Sequence, residues 1–298
     1  MLCLTSFQIR VGFAANNGLC DDVNNDGIIE DVVSGGTYKC FVDMDGAQVV
    51  FHELYICETA PALATYQDNC SEIFSSSSGE TVTFAPDEQT NLPLNKTLSL
   101  APGTYQHFVI KIGPLIKDKM LVQFTTTKEG RDSTKTGTWC WTTNTEYVKS
   151  NRVVANSPIE CGSSQPSGSA VGWAYQYASY LCSGGSLTTS RTMTHSVTGK
   201  TQSNYVVDLN NNLFSYSTST CPSNASSFSD YAPRMIVFQP LGSPVDITPA
   251  TTTIEISMGI KGYGRVQMAQ STNANCSRSN DCVIALRSKA PEFVVTAR

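Results

Sequence analysis

Charge is scarce in this chain. Only 15 % of its 298 residues are Asp, Glu, Lys or Arg, and the net charge is −5. No basic stripe is present, which excludes the electrostatic footprint of a nucleic-acid-binding protein. The acidic balance also gives no charge-driven hold on an anionic membrane. Long apolar runs are missing, so no segment reaches the roughly 18 apolar residues of a membrane-spanning helix. C-x-x-C pairs of the structural-zinc kind are absent. So are the G-x-S-x-G elbow, the HExxH helix and the phosphate loop. The three histidines, His52, His107 and His195, are far apart in sequence. With no grouping of nucleophile, base and orienter, the sequence offers no catalytic residues and the chain reads as a non-enzyme.

Helical patterning is nearly absent too. Ala170–Leu181 is the one candidate, and it reads equally well as two short strands. Short segments of period two are abundant. Phe7, Ile9, Val11 and Phe13 alternate with Ser6, Gln8, Arg10 and Gly12, which puts four apolar side chains on one strand face. Val49 to Ile56, Glu80 to Phe84 and Leu121 to Thr127 are expected strands. In Thr104 to Ile112, Phe108, Ile110 and Ile112 lie opposite His107, Val109 and Lys111. In the second half Tyr205–Leu209, Leu213–Tyr216, Met235–Gln239, Thr252–Met258, Arg265–Ala269, Cys282–Leu286 and Phe293–Thr296 read the same way. Turn chemistry separates them at Asn210–Asn212, Pro240–Pro244 and Lys261–Gly264. Many short strands between frequent turns predict an all-β fold with antiparallel β-sandwich architecture. The polar break from Lys128 to Lys135 predicts two domains: residues 1–130, a β-sandwich carrying a calcium-loop insertion and a candidate donor strand at 5–14, and residues 131–298, a second β-rich domain. One continuous sandwich is the alternative.

Eleven cysteines are scattered singly. That distribution reads as disulfides and an oxidising, extracellular or cell-surface location. Spacing suggests the local pairs Cys20 with Cys40, Cys57 with Cys70 and Cys276 with Cys282, and leaves Cys3 as the odd thiol. Connectivity does not follow from spacing. The first residues could also serve as a secretion signal ending near Ala14 or Ala15, but a basic leading region is lacking and Gln8 and Arg10 interrupt the apolar stretch.

The sharpest chemical signal is Asp22-Val23-Asn24-Asn25-Asp26-Gly27-Ile28-Ile29-Glu30-Asp31. Oxygen side chains at alternate positions, then glycine, let a loop wrap a cation with each oxygen pointing inward. The segment resembles the calcium loops of the EF-hand, dockerin and thrombospondin type 3 families. That resemblance implies Asp22, Asn24 and Asp26 as side-chain ligands of Ca2+, Ile28 as a carbonyl ligand and Glu30 or Asp31 as the closing carboxylate. The EF-hand's closing position falls on Val33, which cannot chelate, so the ion would be structural. An ion-free Asn/Asp turn is the plainer reading. Asp43–Gly46 is either a hairpin turn or a source of further ligands, and Asp208-Asn210-Asn212 is expected to be a simple turn. Trp139, Trp141, Trp173, Tyr175, Tyr177 and Tyr180 either pack beside a disulfide or form a surface for a glycan or protein partner. Asn69, Asn95, Asn224 and Asn275 fit the glycosylation sequon.

The succession SFQIRV, VVFHELYICETA, DNCSEI and LSLAPGTYQHFVIKIG resembles β-sandwich domains of uncharacterised secreted and surface proteins of marine bacteria. The resemblance spans the first third of the chain and implies a fold and an exterior location, but no activity. Two functional expectations follow. One is a structural subunit that self-assembles into a filament, pilus or surface layer, with residues 5–14 completing a neighbour's sheet, similar in kind to the donor segments of chaperone–usher pilins. The other is an adhesin. A secreted hydrolase ranks below both.

Overall fold

The computed structural model describes residues 20, 26–30, 38–85, 100–131, 135–144, 146–149, 154–155, 159–177, 182–183, 186–187, 190–194, 201–213, 234–251, 254–259, 262–269, 282–288 and 292–298. Their strands are β1 (Ile28–Ile29), β2 (Tyr38–Val42), β3 (Gly46–Cys57), β4 (Ser71–Phe84), β5 (Gly103–Lys119), β6 (Leu121–Gly130), β7 (Thr136–Thr142), β8 (Glu146–Lys149), β9 (Val154–Ala155), β10 (Ile159–Gly162), β11 (Ala174–Tyr177), β12 (Cys182–Ser183), β13 (Ser186–Leu187), β14 (Ser190–Thr194), β15 (Thr201–Val207), β16 (Arg234–Ile247), β17 (Ile254–Gly259), β18 (Gly264–Ala269), β19 (Cys282–Ser288) and β20 (Glu292–Ala297). The helix among them is the single turn α1 (Tyr66–Asn69). No helix among the described residues is long and apolar enough to cross a membrane.

The alternation in Thr104–Ile112 builds the centre of the molecule. Phe108, Ile110 and Ile112 enter the main core, while Val109 and Lys111 face the other way. The strand runs on to Lys119. It pairs with β3 along one edge and with β16 and then β11 along the other. These strands belong to a nine-stranded sheet, completed by β4, β8, β9, β14 and β15. A seven-stranded sheet in the order β10-β7-β6-β19-β18-β2, with β1 beside β6, packs across the core from it. Pairing is mainly antiparallel; β1–β6, β19–β6 and β8–β11 are parallel. The inner faces of both sheets meet in one core, where Val49, Phe51, Leu54, Ile56, Phe108 and Ile110 share a cluster with Val122, Phe124, Val266, Val283 and Leu286. The two-stranded pair β17–β20 joins that core through Ile254, Ile256, Phe293 and Val295.

Several expectations meet their physical outcome here. Lys128 and Glu129, where the sequence suggested a break, are strand residues of β6, paired with Gly137 and Thr136 of β7. Each large sheet draws strands from both sides of residue 130. In Ala170–Leu181, residues 174–177 are strand β11, held by β5 and β8 rather than by helical bonds. Pro240–Pro244 is a bulge within β16. Leu241, Gly242, Ser243 and Pro244 lie opposite Gln106 alone, since Pro240 pairs with His107 and Val245 with Tyr105. Proline lacks the ladder N–H, so a bulge is where a strand tolerates it.

Candidate functional site

The described half of the acidic loop turns at Gly27. Gly27 has φ +82°, a left-handed conformation that glycine adopts without strain. Asp26 Oδ1 accepts a hydrogen bond from the Ile28 amide at 3.0 Å. The chain then leaves the turn as β1, with Ile29 buried and Ile28 and Ile29 paired to Gln123 and Phe124 of β6. Ile28 and Glu30 are half-buried and Asp26 is exposed. Asp22, Asn24 and Asp31 lie outside the described residues. Among the described residues no three His, Cys, Asp or Glu side chains converge. The other two acidic stretches bond to backbone. Asp43 Oδ1 accepts from the Gly262 amide at 2.7 Å, and Asp45 Oδ2 from the Leu121 amide at 2.5 Å. Asp208 Oδ1 accepts from the amides of Asn210 and Asn212 at 2.8 and 2.9 Å, closing a side-chain turn.

Disulfides join Cys20 to Cys40, Cys57 to Cys70 and Cys140 to Cys161. The last pair went unread in the sequence. Its cysteines sit directly opposite each other in β7 and β10, a register that only the folded sheet supplies. Cys282 is also disulfide-bonded, and Cys276 lies outside the described residues.

A polar cluster sits on the outer face of the nine-stranded sheet. Lys111 Nζ donates to Glu53 Oε1 at 2.6 Å. Glu53 Oε2 accepts from the hydroxyls of Tyr55 and Tyr66 at 3.3 Å each and from Gln67 Nε2 at 3.4 Å. Burial, together with the charge of Glu53, pushes both phenols well above the usual tyrosine range, so they stay protonated and donate. Tyr66 stacks edge-on against Tyr55 and Phe238. The Cys57–Cys70 bond closes the same loop, so ion pair, rings and disulfide together clamp α1 to the sheet. His52 is buried and its ring Nδ1 lies 3.2 Å from the Ser76 carbonyl oxygen. Burial, then the nearby Arg234, holds its pKa below the ordinary histidine value. The half-buried His107 is lowered by burial as well, and His195 lies outside the described residues. Trp141 is buried beside the Cys140–Cys161 disulfide, Trp139 is half-buried, and Trp173 lies close against Gly46.

One further place combines backbone and apolar surface. The β15 ladder accompanies β16 as far as Phe238. Beyond it, β16 keeps β5 on one edge and turns the other toward β20, which is itself paired with β17 on its far side. The Gln239 side chain crosses this gap at one end: Nε2 donates to the Phe293 carbonyl at 2.7 Å, and the Phe293 amide donates to Oε1 at 3.0 Å. Gln239 is 0 % exposed. Past that amide the gap opens into a groove of about 620 Å³ lined by 241–246 and 294–297. Both walls alternate. Val245 and Val295 are buried, whereas Asp246, Val294 and Thr296 are exposed. Among the described residues, Val294 is one of the few large apolar side chains that stand out in solvent, at 49 %. Sequence reading missed this groove because Pro240–Pro244 looked like a turn. The alternating segment with Phe7, Ile9, Val11 and Phe13 lies outside the described residues. No protein-family model, curated protein or solved structure matches this chain.

Proposed function

We propose that this chain is an extracellular structural subunit that assembles with copies of itself into a filament, pilus or surface layer by strand addition. The observation that carries this reading is the groove between β16 and β20, where two strand edges face each other across a gap bridged by a glutamine amide. Strand edges with no ladder partner among the described residues favour an added strand, whose main chain supplies hydrogen bonds and whose alternate side chains pack against the groove walls. The alternating row Phe7, Ile9, Val11 and Phe13 is suited to that role. The disulfides are compatible with an oxidising exterior. An adhesin reading would need open aromatic rings, and here Trp141 is buried and Trp173 half-buried against Gly46.

Electron microscopy and sedimentation of the full chain test this reading. The native protein is expected to form regular polymers, and the double variant Ile9→Asp/Val11→Asp to remain monomeric with an unchanged circular dichroism spectrum. A native chain that stays strictly monomeric with calcium present overturns it.

Structural calcium belongs to the same proposal. Asp22, Asn24, Asp26, the Ile28 carbonyl and Glu30 or Asp31 would hold the ion, and the turn at Gly27 fits that use. Replacing Asp22 and Asp26 with alanine is expected to lower Tm in calcium and leave it unchanged in chelator. An equal drop in both removes calcium from the picture.

A further inference from the structure

We infer that the groove between β16 and β20 receives residues 5–14 of a second copy of this chain, with Phe7, Ile9, Val11 and Phe13 turned inward and Arg10 turned outward beside Asp246. The inference rests on the assembly reading and names its acceptor site. Length agrees first. At about 3.3 Å per residue, the six residues of β20 span about 20 Å, and the ten residues of the segment can cover that strand and more.

Facing comes next. A strand seated between β16 and β20 would share their pleat, so one of its rows would lie level with Val245, Ile247, Phe293 and Val295, all of which belong to the main core. The other row would lie level with Asp246, Val294 and Thr296, which are exposed. The segment has one uniformly apolar row and one row made of Ser6, Gln8, Arg10 and Gly12. Charge completes the match. Arg10 is the one charged residue in 5–14, and Asp246 the one charged residue lining the groove among the described residues. The aspartate already accepts a hydrogen bond from Thr104 Oγ1 at 2.6 Å, which fixes its carboxylate on the outer face.

At the closed end, the Gln239 amide gives and takes hydrogen bonds with Phe293 as a strand's peptide group would. It marks the line along which an added backbone continues. The origin of the segment favours a second copy. Its chain enters the described fold at Cys20, whose amide donates to the Phe41 carbonyl at 2.8 Å and whose sulfur is bonded to Cys40. Both partners lie in β2, the last strand of the seven-stranded sheet, whereas the groove opens beside β16 of the other sheet.

The test uses the full chain with Val294→p-benzoylphenylalanine, prepared in ordinary and 15N-labelled form and mixed before assembly. Irradiation is expected to join position 294 to peptides from residues 5–14, with mixed isotope masses among the products. A charge series accompanies it. Arg10→Asp or Asp246→Arg alone should reduce polymer about tenfold through like-charge contact, and the double exchange should restore it. Restoration also shows that neither single variant failed merely by misfolding. If the chain polymerises but position 294 joins to other segments and the charge series has no effect, the groove assignment falls while the assembly reading stands. If residues 5–14 join to position 294 with unmixed masses alone, each copy fills its own groove and both fall.

Discussion

At the scale of single residues, close approach decides more than conformation does. Gly130 ends β6, and a Cβ built there would fall on the carbonyl oxygen of Ile159; one on Gly137 would fall on the backbone of Gly162. Backbone cannot move aside as a flexible side chain can, so the β6–β7 hairpin and β10 would have to part. Gly130→Ala is expected to lower stability by about 1–3 kcal/mol in urea titration, as overpacking does. Gly168→Ala, with nothing within 4 Å of its added methyl, should stay close to wild type. Loss of similar stability in both would show that strand packing at Gly130 is not the cause. The two glycines illustrate what the sequence could reveal. The turn at Gly27 was legible because the oxygen-glycine pattern around it is local. The need for glycine at 130 was not, because its neighbour Ile159 arrives only when β10 folds back. The Cys140–Cys161 bond was hidden for the same reason.

At the scale of elements, period two was the most informative signal. The two faces of β5 could be assigned because each side chain's direction follows from its neighbours along one strand. What period two could not show is how strands are tied across the core. Two buried polar side chains do this. Gln239 of β16 serves both backbone groups of Phe293 in β20. Gln239→Leu would leave a buried N–H and C=O without partners and is expected to cost about 2 kcal/mol or more in chemical denaturation. Asp118 of β5, fully buried, accepts the Ser288 amide of β19 through Oδ2 at 2.8 Å and so links the two large sheets. Burial raises its pKa from 3.8 to about 6, against the lowering effect of Ser288 and of Arg287. A raised carboxyl pKa means that the folded state binds the proton more tightly than the unfolded chain. This contribution is therefore fully present below pH 3.8 and is lost as pH rises through about 6. Across that window the loss is on the order of 3 kcal/mol. His52 acts in the opposite sense: its pKa is lowered, so its contribution is present above 6.5 and fades as pH falls. The comparison is therefore between Asp118→Asn and wild type at each pH. The difference in unfolding free energy should shift in favour of the asparagine variant as pH rises from 4 to 7. A difference that does not change with pH would mean that Asp118 titrates alike in both states.

At the scale of the whole molecule, the arrangement of strands bears on whether the chain folds in parts. Residues 1–130 contribute β3, β4 and β5 to one sheet and β1, β2 and β6 to the other, and residues 131–298 supply their neighbours in both. The three disulfides that are placed each close within one of these stretches, so no covalent staple among them joins the two. What joins them is ladder and core: β5 against β16 and β11, β6 against β7 and β19, β2 against β18. A fragment ending at residue 130 would bare one edge of the central strand and the inner face that Val237, Val266, Val283 and Phe293 now cover. The remaining fragment would lack β3 and β5, which carry most of the nine-stranded sheet's inner face. The polar stretch from Lys128 to Lys135 resembles a linker in composition. Lys128 and Glu129 are nevertheless buried strand residues, so polar composition alone did not mark a solvent-facing boundary here. The expected outcome is a single cooperative unfolding transition for the full chain, coincident by circular dichroism and by tryptophan fluorescence. Residues 1–130 and 131–298 expressed alone should show no such transition, and mixing them under oxidising conditions should recover some native signal. A sharp, reversible melt of either fragment by itself would mean that the shared sheets are an interface between two independently folding units.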